Sequence, residues 1–193
     1  MNEYTKINVG CGWETRDGWL NVDNTQKHQR VNYPITFMDA TTTWPHEDNT
    51  FEYVLSEHMI EHIPAKKGLV FLKEAFRCLQ SGGVIRVSCP ERGFFESLPG
   101  NDDHPFVVNY SRKIFNREPS FGVSKRISDR TLFEQGHVWV PTTQQLIDQV
   151  AKAGFVDVKS VEYGKSEHEA LNGIEVNDGV RNWESVVVEG TKP

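Results

Sequence analysis

The chain reads as an α/β protein built on a mostly parallel sheet, and three observations lead there. Ile7-Asn8-Val9 breaks into Gly10-Cys11-Gly12, an apolar run ending in a Gly-x-Gly bend of the kind that lets a backbone turn at a ligand. A second short run, Trp19-Leu20-Asn21-Val22, ends in Asp23, an acidic side chain placed to accept from two ribose hydroxyls. Further apolar runs follow, separated by one strongly amphipathic stretch and several polar loops. At 193 residues the chain is long enough to bury roughly 70% of its unfolded surface, as one domain does.

The first strand is expected over Lys6 to Gly10 and the second over Trp19 to Asp23. Only Cys11 to Gly18 separate them, whereas a parallel crossover ordinarily takes a dozen residues or more with a helix. Either the first helix shrinks to about a turn, or the second run is not a parallel neighbour of the first and the ribose role of Asp23 falls. Asn24 to Tyr33 is polar and aperiodic and reads as a loop. Pro34 introduces a short third strand, Ile35 to Asp39. Phe51 to Ser56 is an apolar run suited to a buried fourth strand, and it leads into Glu57-His58 at what should be the crevice end of the sheet.

From Pro64 the spacing of Leu69, Leu72, Phe76 and Leu79 predicts an amphipathic helix stopped by Ser81-Gly82-Gly83, and Val84 to Ser88 a fifth strand. Thr142 with Gln145 is a capping-box signature, and Leu146, Ile147, Val150 and Ala153 give the buried face of a helix closed by Gly154. Phe155 to Val161 then makes a sixth strand and Glu184 to Glu189 a last one.

These segments, in order, resemble the class I S-adenosylmethionine-dependent methyltransferases, and more narrowly the small type 11 group. The resemblance runs over Lys6 to Pro90 and resumes over Gly136 to Gly173. It implies a Rossmann-like three-layer sandwich with a seven-stranded sheet whose last strand is antiparallel. It also implies S-adenosylmethionine as the cofactor, held by Gly10, Cys11, Gly12, Asp23, Asp39, Ala40, Ser56 and Glu57. Asp39 would face the adenine amine and the Ala40 amide a ring nitrogen; the competing role for Asp39 is to cap the turn in Asp39-Ala40-Thr41-Thr42-Thr43.

Methyl transfer from a sulfonium is an in-line displacement that asks the protein mainly to align the acceptor and exclude water. A hydroxyl acceptor also needs a proton acceptor, and histidine suits that near neutral pH. His58, His62 and His137 fall at expected crevice ends, each with the alternative role of a latch bonded to backbone. His58-Met59-Ile60-Glu61-His62 also fits the H-x-x-E-H pattern of zinc hydrolases. That pattern requires a long helix, and Pro64 marks a helix start instead, so no metal is expected.

Residues 92–136 interrupt the resemblance. Phe94, Phe95, Phe106, Phe115 and Phe121 lie there among Arg112, Lys113, Arg117, Lys125, Arg126 and Arg130. They suit a cap over an anionic acceptor, and equally a solvated helical excursion or a dimer contact. The acidic turn Asp102-Asp103-His104-Pro105 would sit near that acceptor. A net charge of -6 argues against a nucleic-acid partner, which leaves a basic footprint, and in favour of a small molecule such as a sugar or other hydroxylated metabolite. No apolar run approaches the ~20 residues of a membrane helix. Three cysteines without metal-type spacing suit a reducing, cytoplasmic setting. A methyltransferase-like domain that only binds its ligand or a partner is the alternative to catalysis, motivated by the shortened crossover and the missing third glycine of the longer fingerprint.

Overall fold

In the computed structural model, residues 4–25, 32–176 and 178–193 are described here; part of the expected loop between Asn24 and Tyr33 lies outside them. Seven strands form one sheet in the order β3-β2-β1-β4-β5-β7-β6. They are β1 (Lys6–Val9), β2 (Leu20–Asp23), β3 (Thr36–Phe37), β4 (Phe51–Glu57), β5 (Leu79–Pro90), β6 (Val156–Val161) and β7 (Ser185–Thr191). The pairs among β1 to β5 are parallel, and β7 runs antiparallel to both neighbours. The Rossmann-like α/β fold expected from the sequence is therefore the observed one.

Strand parity decides what each face carries, since alternate side chains point to opposite sides. Ile7, Val9, Val54, Ile85, Val87, Cys89, Val186 and Val188 fall on one face. There they meet Phe71, Leu72 and Ala75 of helix α1 (Ala65–Cys78) and, further along the chain, Leu146 and Val150. The other face is smaller and mixed: Leu55 and Val84 pack with Trp19 and Leu171, while Asn8, Asn21, Arg86, Ser88 and Glu189 are buried polar residues.

That polar face explains how β1 and β2 pair across so short a connection. Asn8 Nδ2 donates to Asn21 Oδ1 (3.1 Å) and to the Glu14 carbonyl (2.9 Å). Asn21 in turn accepts from the Arg16 amide (2.8 Å) and donates to the carbonyls of Arg16 and Trp19. Two buried amides thus satisfy the backbone that a helix would have satisfied internally. The helix shrinks to a turn closed by the Glu14 amide on the Cys11 carbonyl (2.8 Å).

Most strands match expectation to within one or two residues at each end, while β3 is shortened at both ends and β5 starts earlier. β3 covers only Thr36–Phe37, an exposed edge pair. β5 begins at Leu79, because helix α1 passes straight into extended backbone and Leu79 pairs with Phe51 before a register shift. Ser81-Gly82-Gly83 is thus an irregularity within the strand, with Gly82 at φ +79°, rather than the helix stop.

Residues 92–133 fold into α2 (Arg92–Ser97), α3 (Pro105–Ile114) and α4 (Val123–Phe133). Phe95, Leu98, Phe106, Val107, Tyr110, Val123 and Ile127 form a separate apolar cluster closed by Val140 and Val180. Asp102 accepts from the amides of Gly122 (2.7 Å) and Ser124 (2.9 Å); it fixes the start of α4 instead of facing an acceptor. Helix α5 (Thr143–Lys152) has the expected capping box between Thr142 and Gln145. The last helix is the single turn α6 (Arg181–Glu184). Among the described residues no helix is long and apolar enough to cross a membrane.

Candidate active site

Two cavities lie at the carboxyl ends of the parallel strands. The first, of about 380 Å³, is lined by Gly10, Gly12, Asp23, Met38, Asp39, Ala40, Thr41, His58, Met59 and His62, among others. Gly10 and Gly12 both have left-handed backbone, at φ +67° and +51°, which only glycine adopts freely. At Gly10 a Cβ would fall 2.2 Å from Met59 Cγ, whereas at Gly12 it would meet nothing within 4 Å. Gly10 is therefore required by close packing, and Gly12 leaves open space at the cavity.

Asp23 stiffens the bend from the next strand. Its Oδ2 accepts from the Gly12 amide (2.9 Å) and its Oδ1 from the Thr25 amide (3.0 Å). Asp39 Oδ1 accepts from both the amide and the hydroxyl of Thr41 (2.8 Å each). These bonds hold its carboxyl below the usual range. Asp39 thus caps the turn and lines the cavity as well.

Three expected contributors lie elsewhere. Cys11, Ser56 and Glu57 do not line this cavity. The Cys11 side chain is buried, and that burial, with the charge of Asp23 beside it, pushes its thiol up to about 12. Ser56 is wholly buried within β4. Glu57 is taken by two guanidinium groups, Arg16 Nη2 at 2.8 Å and Arg181 Nη1 at 3.2 Å, and receives the Tyr163 hydroxyl at 3.4 Å. It ties the two ends of the chain together and is a structural anchor.

The second cavity, of about 420 Å³, adjoins the first: His58 and His62 line both. Its other walls are Glu61 and Pro90, Tyr110 and Ile114 of α3, Arg130 and Thr131 of α4, Gln135, His137, and the segment carrying Asp178, Arg181 and Glu184. The three expected histidines therefore converge. What brings His137 in is the Glu61 carbonyl, which accepts from the amides of Val138 (2.8 Å) and Trp139 (3.1 Å). The His62 and His137 rings stand edge to face, with centroids 4.8 Å apart.

His62 Nδ1 lies 3.3 Å from the Gly136 carbonyl and His137 Nδ1 2.6 Å from that of Thr131. A carbonyl only accepts, so both Nδ1 atoms carry the proton, and in the neutral rings Nε2 bears the lone pair. Burial lowers the pKa of His137, which favours that neutral form. His58 differs: it sits at φ +50°, bonds Ser185 Oγ through Nε2 (2.8 Å) and places Nδ1 3.4 Å from Glu61 Oε1. Burial works against its charge, but the hydrogen bond to Glu61 and the charges of Glu61 and Glu184 outweigh it and raise its pKa. On the opposite wall, burial pushes the Glu184 carboxyl up to about 7.

The left-handed turn at His58 also removes the helix that an H-x-x-E-H zinc site needs. Residues Ile60–His62 form a single 3-10 turn, and α1 starts only after Pro64. The hydrolase alternative lacks its scaffold. A different trio does assemble: ligand atoms from Glu61, His62 and His137 lie within 4.8 Å of one another.

The sequence reading offered Arg130 among the basic residues of a cap and missed Arg181 and Glu184, which come from a segment with no local pattern tying it to a crevice and reach the second cavity only through long-range packing.

Comparison with known proteins agrees with this geometry. Residues 8–87 match the family model described as a methyltransferase domain, the stretch that builds the first cavity. The whole fold is similar to solved S-adenosylmethionine-dependent methyltransferases. One from Thermotoga maritima is 19% identical with a TM-score of 0.59, covering 100% of this chain and 84% of that one. Another, from Archaeoglobus fulgidus, is 14% identical with a TM-score of 0.60, covering 99% and 87%. A third, from Mesorhizobium loti, is 14% identical with a TM-score of 0.57, covering 98% and 91%. No curated protein matches the chain significantly.

Proposed function

We propose that this chain, a class I S-adenosylmethionine-dependent methyltransferase, methylates a hydroxyl of a small acidic metabolite held in the second cavity. The observation that carries the reading is the common wall of His58 and His62 between the two cavities: a donor in one and an acceptor in the other meet at the histidines. Gly10, Gly12 and Asp23 hold the ribose end of the donor, and Asp39 with Ala40 the adenine.

In the transfer, the acceptor oxygen attacks the methyl carbon and the C–S electron pair returns to sulfur, leaving the neutral thioether. The hydroxyl proton passes to a bare imidazole Nε2 of His62 or His137. His58, bonded on both sides, keeps the wall rigid. Arg130, whose buried Nε has no hydrogen-bond partner among the described residues, is the group suited to an acidic acceptor, with Arg181 beside it. Helices α2 to α4 then act as a cap over the acceptor within a single domain. The three free buried cysteines fit a reducing cytoplasmic setting.

Calorimetry with S-adenosylhomocysteine tests the donor half. Binding at micromolar ligand is expected, and no binding at millimolar ligand removes the proposal. Turnover across a panel of hydroxylated acids and sugars tests the acceptor half; donor binding without any methylated product would favour a non-catalytic role.

A further inference from the structure

We propose that Glu61, His62 and His137 form a binding site for one divalent first-row transition ion, such as zinc or iron(II), at the mouth of the acceptor cavity. Three independent observations support it. Ligand atoms from all three residues lie within 4.8 Å of one another. The Glu61 side chain is fully buried. The His58 imidazole, with Nδ1 3.4 Å from Oε1, pairs with that oxygen and leaves Oε2 without a partner among the described residues. A buried carboxylate oxygen without a partner is costly, and a cation at Oε2 would complete it.

The third observation concerns the rings. Both His62 and His137 commit Nδ1 to a backbone carbonyl, the outer arrangement that fixes the tautomer and orientation of metal-bound imidazoles. Two imidazoles and one carboxylate suit zinc and iron over magnesium or calcium, and three protein ligands leave positions open. The open side gives onto the cavity lined by Arg130, Arg181 and Glu184.

The ion's role rests on the methyl-transfer reading, though its existence does not. An acceptor hydroxyl bound at the open position would lose its proton to solvent more readily, and its oxygen would then take the methyl group as the C–S bond breaks. With the ion in place, the two histidines act through it and no longer as direct bases.

The test uses cobalt(II) as probe on the whole, metal-stripped chain, read by calorimetry and by visible d–d absorption. One ion per chain at micromolar affinity or tighter is expected. Glu61→Gln and, at the exposed position, His62→Gln should each weaken it by at least about tenfold, in line with the sensitivity of such sites. His168→Gln, outside the trio, should leave it unchanged. Failure to bind below about millimolar cobalt, or binding indifferent to both variants, overturns the site. S-adenosylhomocysteine is titrated into the same samples. Nucleoside binding without cobalt binding overturns the ion alone and leaves the methyltransferase reading standing, whereas cobalt binding without the nucleoside supports the ion.

Discussion

Replacing Gly10 with alanine is the sharpest probe of how the donor loop is built. The new Cβ would lie 2.2 Å from Met59 Cγ and 2.7 Å from Met59 Cβ, with the backbone at φ +67°. Forcing an extra carbon into a packed contact costs about 1–3 kcal/mol, and a Cβ in left-handed backbone costs about 1–2 kcal/mol more. The two together predict a loss of about 2–5 kcal/mol, or roughly 4–20 °C in melting temperature for a chain of this size. Binding of S-adenosylhomocysteine should fall with it, because Met59 lines the same cavity. A double-mutant cycle separates the causes: in a Met59→Gly background, which removes both Cγ and Cβ, only the backbone part, about 1–2 kcal/mol, should remain. If Gly10→Ala costs the same in both backgrounds, or nothing in either, the close packing of the bend against Met59 is not what demands glycine there.

Three further outcomes follow from the site. Asp23→Asn, which can accept from only one of the Gly12 and Thr25 amides, should loosen the bend and weaken S-adenosylhomocysteine binding by roughly 10- to 100-fold, since bonds to a charged acceptor are worth about 1.5–3 kcal/mol; an unchanged Kd would remove Asp23 from the ribose. Glu57→Gln should lower stability by about 1–3 kcal/mol in denaturant titration through its bonds to Arg16 and Arg181, while donor affinity stays within about twofold; a large loss of affinity would return Glu57 to the donor site. Cys11, at about 12, should resist iodoacetamide at pH 8.5 in the folded chain and react once urea unfolds it, since only the thiolate attacks. Because its folded pKa is raised, the stability it contributes is complete below its ordinary value near 9 and is lost as pH climbs from there towards 12, a fall that an alkaline denaturation series would show.

The lining of the first cavity was legible because its determinants are local. Gly10 and Gly12 break an apolar run, Asp23 ends the next, and Asp39 with Ala40 closes a short third one, so each is marked by its own neighbours. Helix α1 and the Thr142–Gln145 box were equally plain from spacing. Glu57 does not line that cavity and pairs instead with Arg16 and Arg181, long-range partners that no local pattern marks. The far wall of the second cavity was legible only in part: Arg130 stood in the basic run of residues 92–136, whereas Arg181 and Glu184 reach His58 only by long-range packing. Glu61 was visible solely as part of a helical zinc pattern. Its nearness to His137 comes from the backbone contact of its carbonyl with Val138 and Trp139, which no sequence period encodes.

The position of β7 also bears on how the protein is made. It lies between β5 and β6, and its Glu189, with Glu175, neutralises the buried Arg86. While the nascent chain emerges from the ribosome, β5 must wait with an unpaired edge and an unbalanced guanidinium until residues 185–191 arrive. Exposed edges of this kind invite misassembly, so this enzyme should depend on holding chaperones late in translation, and weakening β7 should lower its soluble yield more than its melting temperature suggests.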